Sequence, residues 1–312
     1  MVRCFLQPEE ARMDTVLSKE ATTPRPNVYA TITATIVQAI EAGAGAWHMP
    51  WHAPETPMYR PRNVISGLPY KGVNILVLWA EAQMRGYATG LWATYRQWHE
   101  LGAQVRKGER GTTVLYYKQL PLKAEDAETG ETVTDYRLIA RAFTVFNGAQ
   151  VDGWTPWKTE TVDLVETHRL IEDFIDATGA DIRSAGAKAY YDRLGDCIFI
   201  PDRIRFRGLP TSSATEGYYA TVFHELVHWT GHHLRLSRDL SGRYRSESYA
   251  MEELVAELGA AYLCMEYGVA NVPRPDHAAY IANWLKVLKG DTRAIFAAST
   301  AAYQAVEFLM TY

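Results

Sequence analysis

Residues His224-Glu225-Leu226-Val227-His228 constrain this chain more than any other stretch. Two histidines four apart share one face of a helix, one turn from each other, so both imidazoles can reach a single metal ion. Glu225, one residue past the first histidine, can hold a metal-activated water and take its proton without binding the metal itself. The pattern carries that chemistry only on a helix and only with a third protein ligand, because a catalytic zinc site uses three side chains and one water.

Two sources for the third ligand are open. One arrangement extends the motif to His-Glu-x-x-His-x-x-Gly-x-x-His. Gly231 is in place for it, but its last position is Leu234, and the nearby His232 and His233 are shifted by one or two residues. The other arrangement takes a carboxylate from a later helix, and residues 251–258 (Met-Glu-Glu-Leu-Val-Ala-Glu-Leu) supply candidates. Glu253 and Glu257 are four apart and share a face. Acids on an exposed helix are usually just solvated. Glu257, however, stands in an otherwise apolar run, where a carboxylate is costly to bury without a partner. We therefore expect Glu253 as the ligand and Glu257 as a support that hydrogen-bonds a ligand histidine, with Glu252 as the alternative ligand. Zn2+ is the expected ion, with Mn2+ or another divalent ion also compatible. Tyr244 and Tyr249 are candidates for stabilising an oxyanion.

The rest of the chain frames this motif. Its 312 residues allow one large or two medium domains, and 47% hydrophobic against 22% charged residues is an ordinary globular balance. The net charge of −4 hides an asymmetry. Residues 58–123 hold ten Lys/Arg against three acids, a local charge of +7. That is either a solvated basic face or a surface for a polyanion. Cys4, Cys197 and Cys264 form no Cys-x-x-Cys pair, which argues against a disulfide framework and a thiolate zinc site. No apolar run is long enough to span a bilayer, and the N-terminus lacks the apolar core of a signal peptide. A cytoplasmic protein without membrane contact is expected.

In chain order, residues 1–26 are polar and are expected to be disordered. Val28, Ile32, Ile36 and Ile40 form the stripe of an amphipathic helix. Residues 73–84 read as a buried helix stopped by Gly86, and Thr94 as the N-cap of a short helix over 95–101. Residues 112–118 and 137–146 read as strands, with 123–135 as a long exposed hairpin loop. This first, α+β domain covers 27–155. The second, 156–312, opens with a helix over 163–178 and a hairpin over 190–200. Then come the motif helix over 213–231, a helix over 249–267 and two more helices. A small antiparallel sheet followed by a helix with His-Glu-x-x-His and further helices suits a zincin-like metallopeptidase fold.

The chain also resembles the ArdC-like antirestriction proteins of plasmids and mobile elements, whose N-terminal region is shared with some conjugal-transfer primases. In the first domain the resemblance rests on Trp47-x-x-Pro50-Trp51, Arg62-Asn63, Tyr70-Lys71-Gly72-Val73-Asn74, Trp92-Ala93-Thr94-Tyr95-Arg96-Gln97-Trp98, residues 102–109 and Phe146-Asn147-x-x-Gln150. In the second it rests on residues 224–232 and 249–257. It implies a domain that binds single-stranded DNA joined to a zincin-like peptidase domain, protecting incoming DNA from host restriction. The resemblance does not specify the peptide substrate, for which a host restriction protein or another protein is a candidate. The basic segment agrees, because it interleaves its charges with aromatics, as grooves for single strands do. Lys71, Arg106, Lys107 and Arg110, which sit in turns, together with Arg62 and Tyr95, are the expected DNA contacts. The competing reading is an intracellular zinc peptidase whose first domain recognises protein.

Overall fold

The computed structural model describes residues 27–44, 60–125, 132–155, 164–206, 213–240, 246–269 and 277–312. The expectations for 1–26, for the Trp47 motif and for Tyr244 lie outside these residues.

Helix α1 (Val28–Ala44) buries the isoleucines of its stripe, with Ile32, Ile36 and Ile40 at 0% exposure and Val28 partly buried at the start. Strand β1 (Arg62–Asn63) leads through a turn into α2 (Val73–Arg85), whose apolar run is buried. Gly86 ends α2 at φ 66°, a left-handed backbone that glycine adopts without strain. Strand β2 (Leu91–Thr94) passes directly into α3 (Tyr95–Glu100). Thr94 caps that helix in a reciprocal capping box with Gln97. Strands β3 (Gln104–Val105), β4 (Thr112–Glu125), β5 (Thr132–Asn147) and β6 (Val151–Asp152) complete the first half. One sheet has the order β1-β2-β5-β4, and β3 pairs with β6 in a second.

The β4–β5 hairpin is longer than its composition suggests. Pairing continues from Thr112↔Val145 out to Glu125↔Thr132, through the polar stretch read as loop. The ladder is held by backbone hydrogen bonds, which any non-proline residue can make, so strand pairing does not require alternation of apolar residues there.

The second half contains α4 (Leu164–Ala177), β7 (Asp181–Ser184), β8 (Tyr190–Asp192) and β9 (Cys197–Ile200). These are followed by α5 (Ala214–Thr230), α6 (Glu247–Glu266), α7 (His277–Gly290) and α8 (Ala294–Leu309). The expected hairpin is the antiparallel pair β8–β9. The sheet is nevertheless mixed rather than antiparallel, because β7 pairs with β9 in parallel. Strand β7 is four residues of mostly exposed Asp-Ile-Arg-Ser, too short and polar to announce itself.

The two halves share one core. A single buried cluster contains Ile36 and Trp79 from α1 and α2 together with Trp284, Leu288 and Ile295 from α7 and α8. The Trp79 and Tyr262 rings meet at 5.7 Å, and the Thr33 hydroxyl donates to the Thr292 carbonyl at 2.6 Å. A smaller cluster around Trp98 fills the space beneath β2, β3 and β6.

Candidate functional site

Helices α5 and α6 build the centre. Ser213 caps α5 in a capping box with Glu216, and Ser246 caps α6. The two helices cross closely at Gly259, where an added Cβ would come within 2.7 Å of a Val227 methyl. Val227 lies between the two histidines of the motif, so this contact sets how near α6 brings its carboxylates.

His224 and His228 point their Nε2 atoms at one place, 3.2 Å apart. The two Glu253 oxygens lie 3.6 Å from His224 Nε2 and 3.5 Å from His228 Nε2. Among the described residues, His224, His228 and Glu253 are the group whose ligand atoms converge, all within 4.8 Å of one another. Two ligands about 2.0–2.1 Å from a tetrahedral ion sit roughly 3.3 Å apart. The separation of the two nitrogens, and of each nitrogen from one oxygen of the Glu253 carboxylate, is close to that spacing, and imidazole with carboxylate is a donor set that divalent ions accept.

Each histidine has a carboxylate behind it. Glu252 Oε1 is 3.1 Å from His228 Nδ1. Arg238 grips Glu252 with two bonds, Nε to Oε2 at 3.0 Å and Nη2 to Oε1 at 2.8 Å. It also donates to the Val227 carbonyl at 2.7 Å. Glu252, the alternative ligand, thus stands on the far side of His228 from the converging atoms. Glu257 Oε2 is 3.7 Å from His224 Nδ1, near enough for electrostatic support but beyond a hydrogen bond. Sequence reasoning found neither Arg238 nor the role of Glu252. Arg238 lies in the loop after α5, which carries no helical period, and only its folding back onto α5 brings the guanidinium to Glu252.

Burial pulls the proton affinity of His228 down, but hydrogen bonds to the Glu252 and Glu253 carboxylates outweigh it and push its pKa up to about 10. Burial raises Glu253, and the two imidazoles outweigh that too, holding its carboxyl well below the usual range. Glu225 is buried at 2% exposure beside His224 at 3%.

The three-histidine version has no counterpart here. The backbone turns after Gly231, Leu234 is exposed, and His232 Nδ1 faces Asp196 Oδ2 at 3.9 Å. Tyr249 occupies the first turn of α6.

The six expected DNA contacts are not equivalent. Arg106 is occupied: its guanidinium bonds Glu109 at 2.9 Å and the Ala149 carbonyl at 2.5 Å, bracing the turn. Arg62 is exposed and donates to the Gly67 carbonyl at 3.3 Å. Lys107 and Arg110 are exposed. Tyr95 is half exposed, and its hydroxyl accepts from Gln104 at 2.8 Å. Lys71 Nζ lies 3.4 Å from Glu307 and 5.3 Å from the centre of the Tyr303 ring.

Comparison with known proteins covers both halves. Residues 26–146 match the family model of the N-terminal domain of anti-restriction factor ArdC. Residues 169–301 match the model of a zincin-like metallopeptidase. The crystal structure of antirestriction ArdC protein from the R388 plasmid, metal-free, superposes with a TM-score of 0.71 at 38% identity, over 91% of this chain and 97% of that one. The Mn(II)-bound structure of the same protein gives 0.70 at 37% identity, with the same coverage. Protein y4eC of Sinorhizobium fredii is 44% identical over 91% of each chain. DNA primase TraC of Escherichia coli is 35% identical over 93% of this chain, which spans only 20% of TraC.

Proposed function

Because this chain belongs to the ArdC antirestriction family, we propose that it binds single-stranded DNA of a mobile element and shields it from host restriction. We assign it a divalent-metal peptidase site on the same chain, with His224, His228 and Glu253 as ligands. The observation that carries the metal half is the convergence of three side chains, with His224 Nε2 and His228 Nε2 3.2 Å apart and lying 3.6 Å from Glu253 Oε2 and 3.5 Å from Glu253 Oε1 respectively. The DNA half is supported by the ArdC N-terminal domain match, by the primase relative and by the +7 segment.

A bound divalent ion would supply Lewis acidity and lower the pKa of its water. Glu225 is assigned as the base that takes the proton of the attacking water and delivers it to the leaving amine. Glu252 holds the His228 imidazole from behind by a hydrogen bond, and Glu257 supports His224 electrostatically. Zn2+ and Mn2+ both suit the donors, and a protein of the host is the proposed peptide substrate.

Three measurements test this reading. Titrating binding to a labelled single strand against salt should give an affinity that falls steeply as salt rises, and a flat or absent response would remove the DNA half. Metal analysis should find a stoichiometric ion in wild type and in Glu225→Gln, and none in His228→Ala. Conjugation into a restricting recipient, compared between wild type and Glu225→Gln, separates protection from hydrolysis. Equal protection would show that the peptidase chemistry serves another purpose.

A further inference from the structure

A cleft of about 880 Å³ opens between the β4–β5 ribbon, the turn before α2 and helix α8. Its volume is at the upper end of ligand pockets, about 300–1,000 Å³. Tyr116 lies directly opposite Arg141 across the ribbon, and Phe143 is two residues further along the same face. The Tyr116 and Phe143 rings meet edge to face at 6.3 Å. Both remain open to solvent, at 58% and 43% exposure. Arg141 is exposed and has no ion-pair partner among the described residues.

The opposite wall comes from the last helix. Thr300, Tyr303, Gln304 and Glu307 recur at the spacing of one helix face, and all four line the cleft. Lys71 stands between them and the ribbon, over the Tyr303 ring and beside Glu307. Two exposed rings on one wall, a third on the other and cations at the rim are the elements of a single-strand channel. A duplex keeps its bases stacked inside and could not offer them to these rings.

Resting on the reading that the chain binds single-stranded DNA, we propose that this cleft is where the unpaired bases are held. Tyr116, Phe143 and Tyr303 stack the bases, and Arg141 and Lys71 take flanking phosphates. Lys71 exchanges Glu307 for a phosphate when the strand enters. The strand then touches α8, which belongs to the second half of the chain and packs on α6, the helix that carries Glu253. Neither Arg141, Phe143 nor Tyr303 was among the DNA contacts expected from sequence.

The test uses the full chain and fluorescence anisotropy with a labelled oligothymidylate of about twelve nucleotides. Tyr116→Ala combined with Phe143→Ala should raise Kd about tenfold or more while leaving the salt slope unchanged. Tyr116→Phe should retain wild-type affinity. Lys71→Gln should flatten the salt slope by about one. Tyr303→Ala should weaken binding severalfold. These side chains are exposed or at the rim, so melting curves should confirm intact folds. If wild type binds no single strand, the functional reading above falls. If wild type binds and the double variant binds equally well, that reading stands and the cleft assignment is overturned. A dimer that the double variant dissociates, with DNA affinity unchanged, would likewise overturn it and give the face to a second copy of the chain.

Discussion

Replacing Glu252 by alanine removes the acceptor at His228 Nδ1 and leaves Arg238 without its bidentate partner. The imidazole then loses what fixes its orientation, so Mn(II) affinity should fall about 10–100-fold, as it does for outer partners of metal ligands elsewhere. Arg238→Met should fall in the same direction by less, because Glu252 stays. Glu253→Ala should lose the ion almost entirely, and calorimetric titration of the three variants ranks them. If Glu252→Ala binds metal as wild type does, Glu252 is not a positioning residue. The contrast explains what could be read from sequence. The pairing of His224 with His228 follows from helical spacing, which is local, and the four-residue spacing of Glu253 and Glu257 favours Glu253 over the other candidates. The Arg238–Glu252–His228 chain depends on a loop closing back over α5, and no period in residues 231–240 encodes that closure.

Among elements, the α5–α6 crossing is the most sensitive. Gly259 has an ordinary helical backbone, and what it provides is space: its missing Cβ lets Val227 approach. Gly259→Ala should cost about 1–3 kcal/mol by overpacking. By moving α6 off α5 it should also weaken metal binding, although Gly259 touches no ligand. Adding Val227→Ala should restore part of both, and a double-mutant cycle in melting temperature and metal affinity would detect the coupling. The turn between β8 and β9 is tied to the loop after α5 in a second way. Asp196, at φ 48°, pairs with Arg235, whose Nη1 is 3.0 Å from Oδ2. The hydrogen bond from Arg235 is the main cause that holds the Asp196 carboxyl below its ordinary value of 3.8, against a smaller upward push from burial. The folded pKa is depressed, so the stabilisation is present above pH ~4 and is lost as pH falls through the folded value. Asp196→Asn keeps a side chain that tolerates this backbone. Its melting temperature should lie below wild type at neutral pH, and the two should converge in acid. The long helices and the β8–β9 hairpin were legible because each repeats its own period. Strands β2 and β7 were not, being four residues long and completed by partners far along the chain.

For the whole molecule, the shared core decides how the two halves respond to each other. Ile32, Ile36 and Ile40 of α1 are fully buried in the same cluster as Trp284 and Leu288 of α7. Burying one such side chain contributes about 1.5–3 kcal/mol, against the roughly 5–15 kcal/mol that stabilises a domain. A second half expressed without α1 and α2 would therefore expose a sizeable share of its own stabilising surface. The full chain should melt in one transition, and residues 156–312 alone should melt at lower temperature or aggregate. The same coupling extends to the metal. An ion that binds only the folded state stabilises every segment that unfolds with its ligands. Adding Mn(II) should therefore slow amide hydrogen exchange in α1 and α2 as well as in α5 and α6, although α1 and α2 contribute no metal ligand. His228→Ala should abolish the protection in all four helices together. Protection confined to α5 and α6 in wild type would mean that the common core does not couple the halves, and that the N-terminal helices open independently of the metal centre.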